Sequence, residues 1–263
     1  YQKTFMVAEC FFDWSEPELL KGPGAVKELP ALVKSKGVSS VLVVTDKGLM
    51  GLNLLAGLFE QLDAQGIKYT VYDGVQPNPS IENIEEARRL YLKNDCEGII
   101  AFGGGSPMDC AKAAGARVMN PNQSVSQMRG ELKIRHKLPP FFAVPTTAGT
   151  GSETTLAAVV TNMQTHEKYA INDPKLRPKY AVLDPELTTG LPQKITSTTG
   201  MDALTHAVEA YIGLSGVKST DDYAERATKL IFENLETAYN DGKNLQAREN
   251  MLVASFYAGM AFT

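Results

Sequence analysis

Histidine and cysteine are scarce in this chain, with three of each among 263 residues. Cys10, Cys96 and Cys110 are odd in number and lack metal-ligand spacing, so the plain inference is buried thiols in a reducing compartment. Positive charge is not in excess either. The formal net charge is -4 and no long basic run occurs, which removes the electrostatic footprint of a nucleic-acid-binding protein. No apolar run of about 18 residues and no signal or transit pattern is present. The expected location is the cytoplasm, with an enclosed protein compartment as the alternative, and neither membrane nor nucleic acid is an expected partner. What is abundant is apolar content, 43% of residues, enough to bury a sizeable core in one or two domains.

The most informative stretch is Gly200-Met201-Asp202-Ala203-Leu204-Thr205-His206-Ala207-Val208-Glu209. It is strongly helical, and a four-residue spacing puts Asp202 and His206 on one face. A carboxylate oxygen and an imidazole nitrogen form a mixed donor set that suits Fe(II) or Zn(II). The same pair also occurs on exposed helices without any metal, and catalytic metals usually take three protein ligands or more. The other histidines, His136 and His166, lie in loop-like stretches distant in sequence.

Three further segments carry ligand chemistry. The strand-like run 97–102 leads into Gly103-Gly104-Gly105-Ser106-Pro107-Met108-Asp109 and then a helical run. Glycines admit close approach of an anion, Ser106 suits an N-cap, Pro107 the first helical position, and Asp109 the acid of a capping box. The free N–H groups of the helix end would face a phosphate. A tight strand-to-helix turn without ligand is the alternative; a Walker A loop is excluded by the missing Gly-Lys-Ser/Thr ending. A second strand, 141–144, runs into Pro145-Thr146-Thr147-Ala148-Gly149-Thr150-Gly151-Ser152-Glu153, whose hydroxyls suit a diphosphate or ribose at a strand's carboxyl end. A third, 41–45, ends in Asp46. That acid either accepts from an adenosine ribose, favouring NAD over NADP, or caps the following helix.

Taken together and in register, Asp46, the residues from Gly103 to Asp109, those from Pro145 to Glu153 and those from Gly200 to Glu209 resemble the iron-containing (group III) alcohol dehydrogenases along essentially the whole chain. The resemblance implies an α/β, Rossmann-like parallel-sheet domain followed by an all-helical domain, with cofactor and metal in the cleft between them. It implies that Asn78 lies on the cofactor side and that Lys168 contacts the nicotinamide ribose. It also implies that Gly103, Gly104, Gly105, Ser106, Asp109, Thr146, Thr147, Thr150 and Ser152 line the NAD site. Asp202 and His206 match the family's first two metal ligands. The other two are histidines beyond the matched region, so the expectation is an incomplete chain, trimmed at Tyr1 as well and inactive on its own. Self-association as a homodimer or higher oligomer is a further expectation.

The implied reaction is hydride transfer between a small alcohol, diol or aldehyde and NAD, with Fe(II), or alternatively Zn(II), at the substrate oxygen. Two other readings stay open. One is a zinc-dependent polyol dehydrogenase, or a sugar-phosphate cyclising synthase using NAD transiently. The other is a non-catalytic nucleotide-binding remnant. Metal identity and net NADH production separate them.

Periodicity organises the rest. Strands are expected at 41–45, 69–72, 99–102 and 141–144, covering helices at 49–65, 81–93 and 107–119, and a small sheet extension at 155–161, 168–171 and 180–183. Long helices follow at 201–212, 220–238 and 244–262, so a boundary near Leu191-Pro192 separates an α/β domain, 1–191, from a partial helical one, 192–263. Met251, Leu252, Phe256, Tyr257, Met260 and Phe262 give the last helix apolar faces that need partners. Cys110 reads as a packing residue.

Overall fold

The computed structural model describes residues 16–213 and 216–263; Cys10 lies outside them. Six parallel strands form the main sheet: β1 (Glu18–Lys21), β2 (Ser40–Val44), β3 (Lys68–Tyr72), β4 (Gly98–Gly103), β6 (Phe141–Pro145) and β9 (Tyr180–Leu183). Their order is β1-β9-β6-β4-β2-β3. The chain leaves β2 to pair β3 on one side and returns to pair β4 on the other. The switch point, where open α/β sheets bind ligands, therefore lies between β2 and β4.

Continuous apolar runs mark β2, β4 and β6 as central strands, because a parallel sheet is covered on both faces. In β2, Leu42 and Val44 face one core with Ile84 and Tyr91 of α4 (Ile81–Lys93) and Met108 of α5 (Gly105–Met119). Val41 and Val43 face the other, with Leu29 and Val33 of α1 (Leu29–Ser35) and Leu58 and Leu62 of α3 (Ala56–Ala64). Cys110 is fully buried, as a packing residue should be.

Several expectations are corrected. The run 49–65 is two helices, α2 (Lys47–Gly51) and α3, because Asn53 adopts φ 57 and ends the first. The strand 180–183 joins the main sheet rather than the small one, pairing β1 and β6. The small sheet is instead β5 (Gly130–Glu131), β8 (Glu167–Asn172) and β7 (Ala157–Asn162), in that order. Neither β1 nor β5 was expected.

After a 3-10 turn at Pro185–Thr188 come α6 (Gln193–Ile212), α7 (Lys218–Asn240) and α8 (Leu245–Phe262). Their core takes in Ala148, Ala181 and Leu183 from the sheet's carboxyl edge. Of the apolar residues expected to need partners on the last helix, Met251, Leu252, Phe256 and Met260 are buried within the chain, Tyr257 is half-buried and Phe262 is exposed. Exposed large apolar side chains of the helical part include Met201, Val208, Tyr211 and Ile212 of α6 and Phe232 of α7. Among the described residues no helix is long and apolar enough to cross a membrane.

Candidate cofactor cleft and metal face

Because β2, β4 and β6 are neighbours in the sheet, their carboxyl ends present Asp46, Gly103 and Thr146 side by side. The Thr146 N–H donates to the Gly103 carbonyl at 3.1 Å, tying the two loops together. A Cβ on Gly104 would stand 3.1 Å from Thr147 Oγ1, and one on Gly105 would stand 3.0 Å from Thr150 Cγ2. The glycines thus allow the second loop to lie directly on the first. Gly103 is further constrained by φ 150, with its virtual Cβ 2.6 Å from Pro107.

The N-terminus of α5 differs from expectation in a way that matters chemically. Gly104, extended at φ -81 and ψ -159, is the N-cap, and no side chain caps the helix. Ser106 lies inside the first turn, and its Oγ accepts from the Asn78 N–H at 3.1 Å. Pro107 sits two positions later in the helix than expected, and Asp109 is not a capping acid. With Gly104 at the cap, Ser106 falls at the second helical position and caps nothing. The helix end therefore keeps its N–H donors and positive dipole end free of a side-chain acceptor, as a phosphate requires.

Asn78, at φ 56, is exposed, and its Oδ1 accepts from Lys168 Nζ at 2.8 Å. Asn78, Ser106 and Lys168 thus form one polar chain beside the N-terminus of α5, from three separate parts of the sequence. Asp46 is the N-cap of α2, its Oδ1 accepting from Leu49 N–H at 3.0 Å. Capping is therefore one of its roles, carried by Oδ1, with Oδ2 outside the cap.

Asp109 and Ser152 lie beneath the loops, inside a polar network. Ser152 Oγ donates to Asp109 Oδ1 at 3.0 Å, and Val159 N–H donates to Asp109 Oδ2 at 3.1 Å. Enclosure pushes the Asp109 carboxyl up, opposed by the nearby Lys112 ammonium. Lys112 and Glu153 received no role from the sequence, yet both are fully enclosed. Burial lowers Lys112 to about 8 and raises Glu153 to about 7.

The second loop also touches the helical part. A Cβ on Gly149 would lie 2.6 Å from Thr199 Cβ of α6, and one on Gly151 would lie 2.8 Å from Gly259 Cα of α8. Thr199 is one turn before Asp202, so the loop seats beside the Asp202–His206 face. His206 Nε2 is 3.8 Å from Asp202 Oδ2, too far for a hydrogen bond. Its Nδ1 is buried without a hydrogen-bond partner, and its ring packs at 4.7 Å, tilted, on Phe262. The Nε2 nitrogen, facing the Asp202 carboxylate without a hydrogen bond between them, fits a divalent metal as part of a ligand set. Among the described residues no third His, Cys, Asp or Glu joins them, and His136 and His166 stay apart.

Residues 17–185 match the family model described as iron-containing alcohol dehydrogenase, and residues 196–263 match the C-terminal model of that family. The chain is 40% identical over 254 residues to 1,3-propanediol dehydrogenase of Klebsiella pneumoniae, covering 95% of this chain and 65% of that protein. It is 39% identical to alcohol dehydrogenase 4 of Schizosaccharomyces pombe, covering 92% and 57% respectively. An alcohol dehydrogenase from Oenococcus oeni superposes with a TM-score of 0.92 at 40% identity, over 95% of this chain and 66% of that one. Sulfoacetaldehyde reductase from Bifidobacterium kashiwanohense, solved in complex with NAD+, superposes at 0.86 with 34% identity, over 95% and 66%. The chain thus spans less than two thirds of the length of these relatives.

Proposed function

The chain belongs to the iron-containing alcohol dehydrogenase family, and from that premise we propose that the whole protein is an NAD-linked, iron-dependent dehydrogenase of small alcohols or diols, running in reverse as an aldehyde reductase. The observation that carries this reading is the seating of the Thr/Gly loop on α6 at Thr199, one turn from Asp202. This contact supports a reading in which the dinucleotide-binding edge and the metal-binding helix face adjoin. When bound, the metal supplies Lewis-acid polarisation of the substrate oxygen, and NAD supplies the hydride acceptor.

The protein's own part is positioning. The N–H donors of α5 and the hydroxyls of Thr146, Thr147 and Thr150 hold the diphosphate, Asn78 and Lys168 face the ribose at the rim, and Asp46 reads the adenosine ribose. Asp202 and His206 supply one face of the metal shell. On this reading residues 1–191 form the cofactor part and those from 192 the metal part. The protein acts in the cytoplasm and self-associates. The relatives named for propanediol and for an NAD+ complex support the substrate class and the cofactor.

The test is alcohol-dependent NADH formation, at 340 nm, by the whole protein before and after chelation. Activity should fall at least about a hundredfold on metal removal and return with Fe(II) rather than Zn(II). Undiminished turnover by metal-free protein would sink the proposal.

Asp46→Ser separates the acid's two roles. Serine keeps the cap on α2, so folding stability should shift by no more than about 0.5 kcal/mol. Loss of the carboxylate should narrow the preference for NADH over NADPH about tenfold in fluorescence titrations. An unchanged preference would assign Asp46 to capping alone.

A further inference from the structure

Lys112 is fully buried, yet it is surrounded by oxygen. Its Nζ donates to Ser152 Oγ at 3.1 Å, Thr155 O at 2.9 Å, Thr155 Oγ1 at 3.1 Å and Ala157 O at 3.0 Å. All four acceptors belong to the stretch that leaves the Thr/Gly loop and enters β7. Asp109, three residues earlier on the same face of α5, holds Ser152 and the Val159 N–H from the other side. Two side chains of one helix therefore fix four successive points of the exit: residues 152, 155, 157 and 159. That helix is the one whose N-terminus forms the glycine turn.

We propose that Lys112 is a positioning residue for the dinucleotide: from beneath, its ammonium fastens the Thr/Gly loop to α5, so that the side chains of Thr147 and Thr150 stay against Gly104 and Gly105. The assignment rests on the cofactor reading given above. An apolar residue would fill the space but strand inward-facing carbonyl and hydroxyl oxygens, each a costly orphan. A longer span of loop would then be free to lift from the glycine turn, where contact is already at van der Waals distance. Glu153 and Asp109 supply the negative charge that lets a lysine stay ionised at this depth.

The test is an NADH fluorescence titration of the full chain at a temperature where circular dichroism shows it folded, with Zn(II) binding measured on the same sample. Lys112→Met should weaken NADH binding about tenfold or more and leave the Zn(II) affinity within about twofold. In turnover, KM for NAD should rise by the same factor while kcat at saturating NAD changes little, a split that a purely structural lysine would not produce. A folded Lys112→Met that binds NADH as tightly as the wild type overturns the assignment. Should that variant fail to fold, Thr155→Val, which keeps the ammonium but cuts the one link to Thr155 Oγ1, decides. A severalfold loss of NADH affinity supports the clamp, and none overturns it. Wild-type protein that binds no NADH would overturn the cofactor reading itself and the clamp with it.

Discussion

Replacing His206 by Ala in the whole protein is expected to abolish tight metal binding and lower alcohol-dependent NADH formation at least about a hundredfold. The reasoning starts from a ring with no internal use for its polarity. Nδ1 is buried without a partner, and Nε2 stands 3.8 Å from Asp202, beyond hydrogen bonding. A histidine kept for packing normally has both nitrogens served by water or protein, since an unpaired buried nitrogen costs about 1–3 kcal/mol. Removing this one relieves that cost while opening a small cavity beside Phe262, and the two effects oppose each other. Metal-free protein should therefore unfold within about 1 kcal/mol of the wild type. The pair of readouts, metal content by atomic emission and stability by urea titration, separates a ligand from a core residue. A large loss of apo stability with normal metal content would make His206 structural.

Gly259→Ala should destabilise the fold by about 3 kcal/mol, the upper range for overpacking. A Cβ there would lie 2.2 Å from Thr154 Oγ1, 2.7 Å from Gly151 O and 3.0 Å from Gly151 Cα. Two of these atoms are backbone, and the third cannot turn away cheaply, because Thr154 Oγ1 donates to Gly151 O at 2.8 Å. Gly151 itself sits at φ 58 and would place its own Cβ 2.8 Å from Gly259 Cα, so neither side of the contact can accept a methyl group. At this chain length the loss corresponds to a fall in melting temperature on the order of 8 °C. Gly190, which has no heavy atom within 4 Å of its virtual Cβ, is the control: Gly190→Ala should leave the melting temperature within about 1 °C. Equal melting temperatures for the two variants would show that loop and α8 do not pack this tightly.

How much of this was legible in the sequence depends on the range of the interactions involved. Strands β2, β4 and β6 were plain because a doubly covered parallel strand is an unbroken apolar run. The helix at Ile81–Lys93 was read to the residue, since periodicity and Ser80 agree; Ser80 accepts from Asn83 N–H at its start. By contrast β1, with Leu19 and Leu20 between two charged residues, carries no strand signal and becomes one only by pairing β9 at the sheet edge. Ser106 was misplaced by two positions because serine and glycine both satisfy an N-cap locally, and the backbone of Asn78 decided what the hydroxyl would bind.

The candidate site divides the same way. Residue types and spacing determined the three candidate loops and the Asp202–His206 face, because glycine turns, caps and an i,i+4 pair are local properties of a chain. Only the tertiary structure decided that those loops lie side by side, through the order β2-β4-β6, and that the Thr/Gly loop rests on α6 and α8 through Gly149 and Gly151. It alone decided the states of the buried ionisable groups. Lys112 on an alanine-rich helix and Glu153 after a serine carry no mark of burial in one dimension. Their burial follows from strand order and helix packing, and the oxygens that surround Lys112 come from residues forty or more positions away. Burial and charge environment are sums over distant neighbours, so they become fixed only when the chain closes on itself.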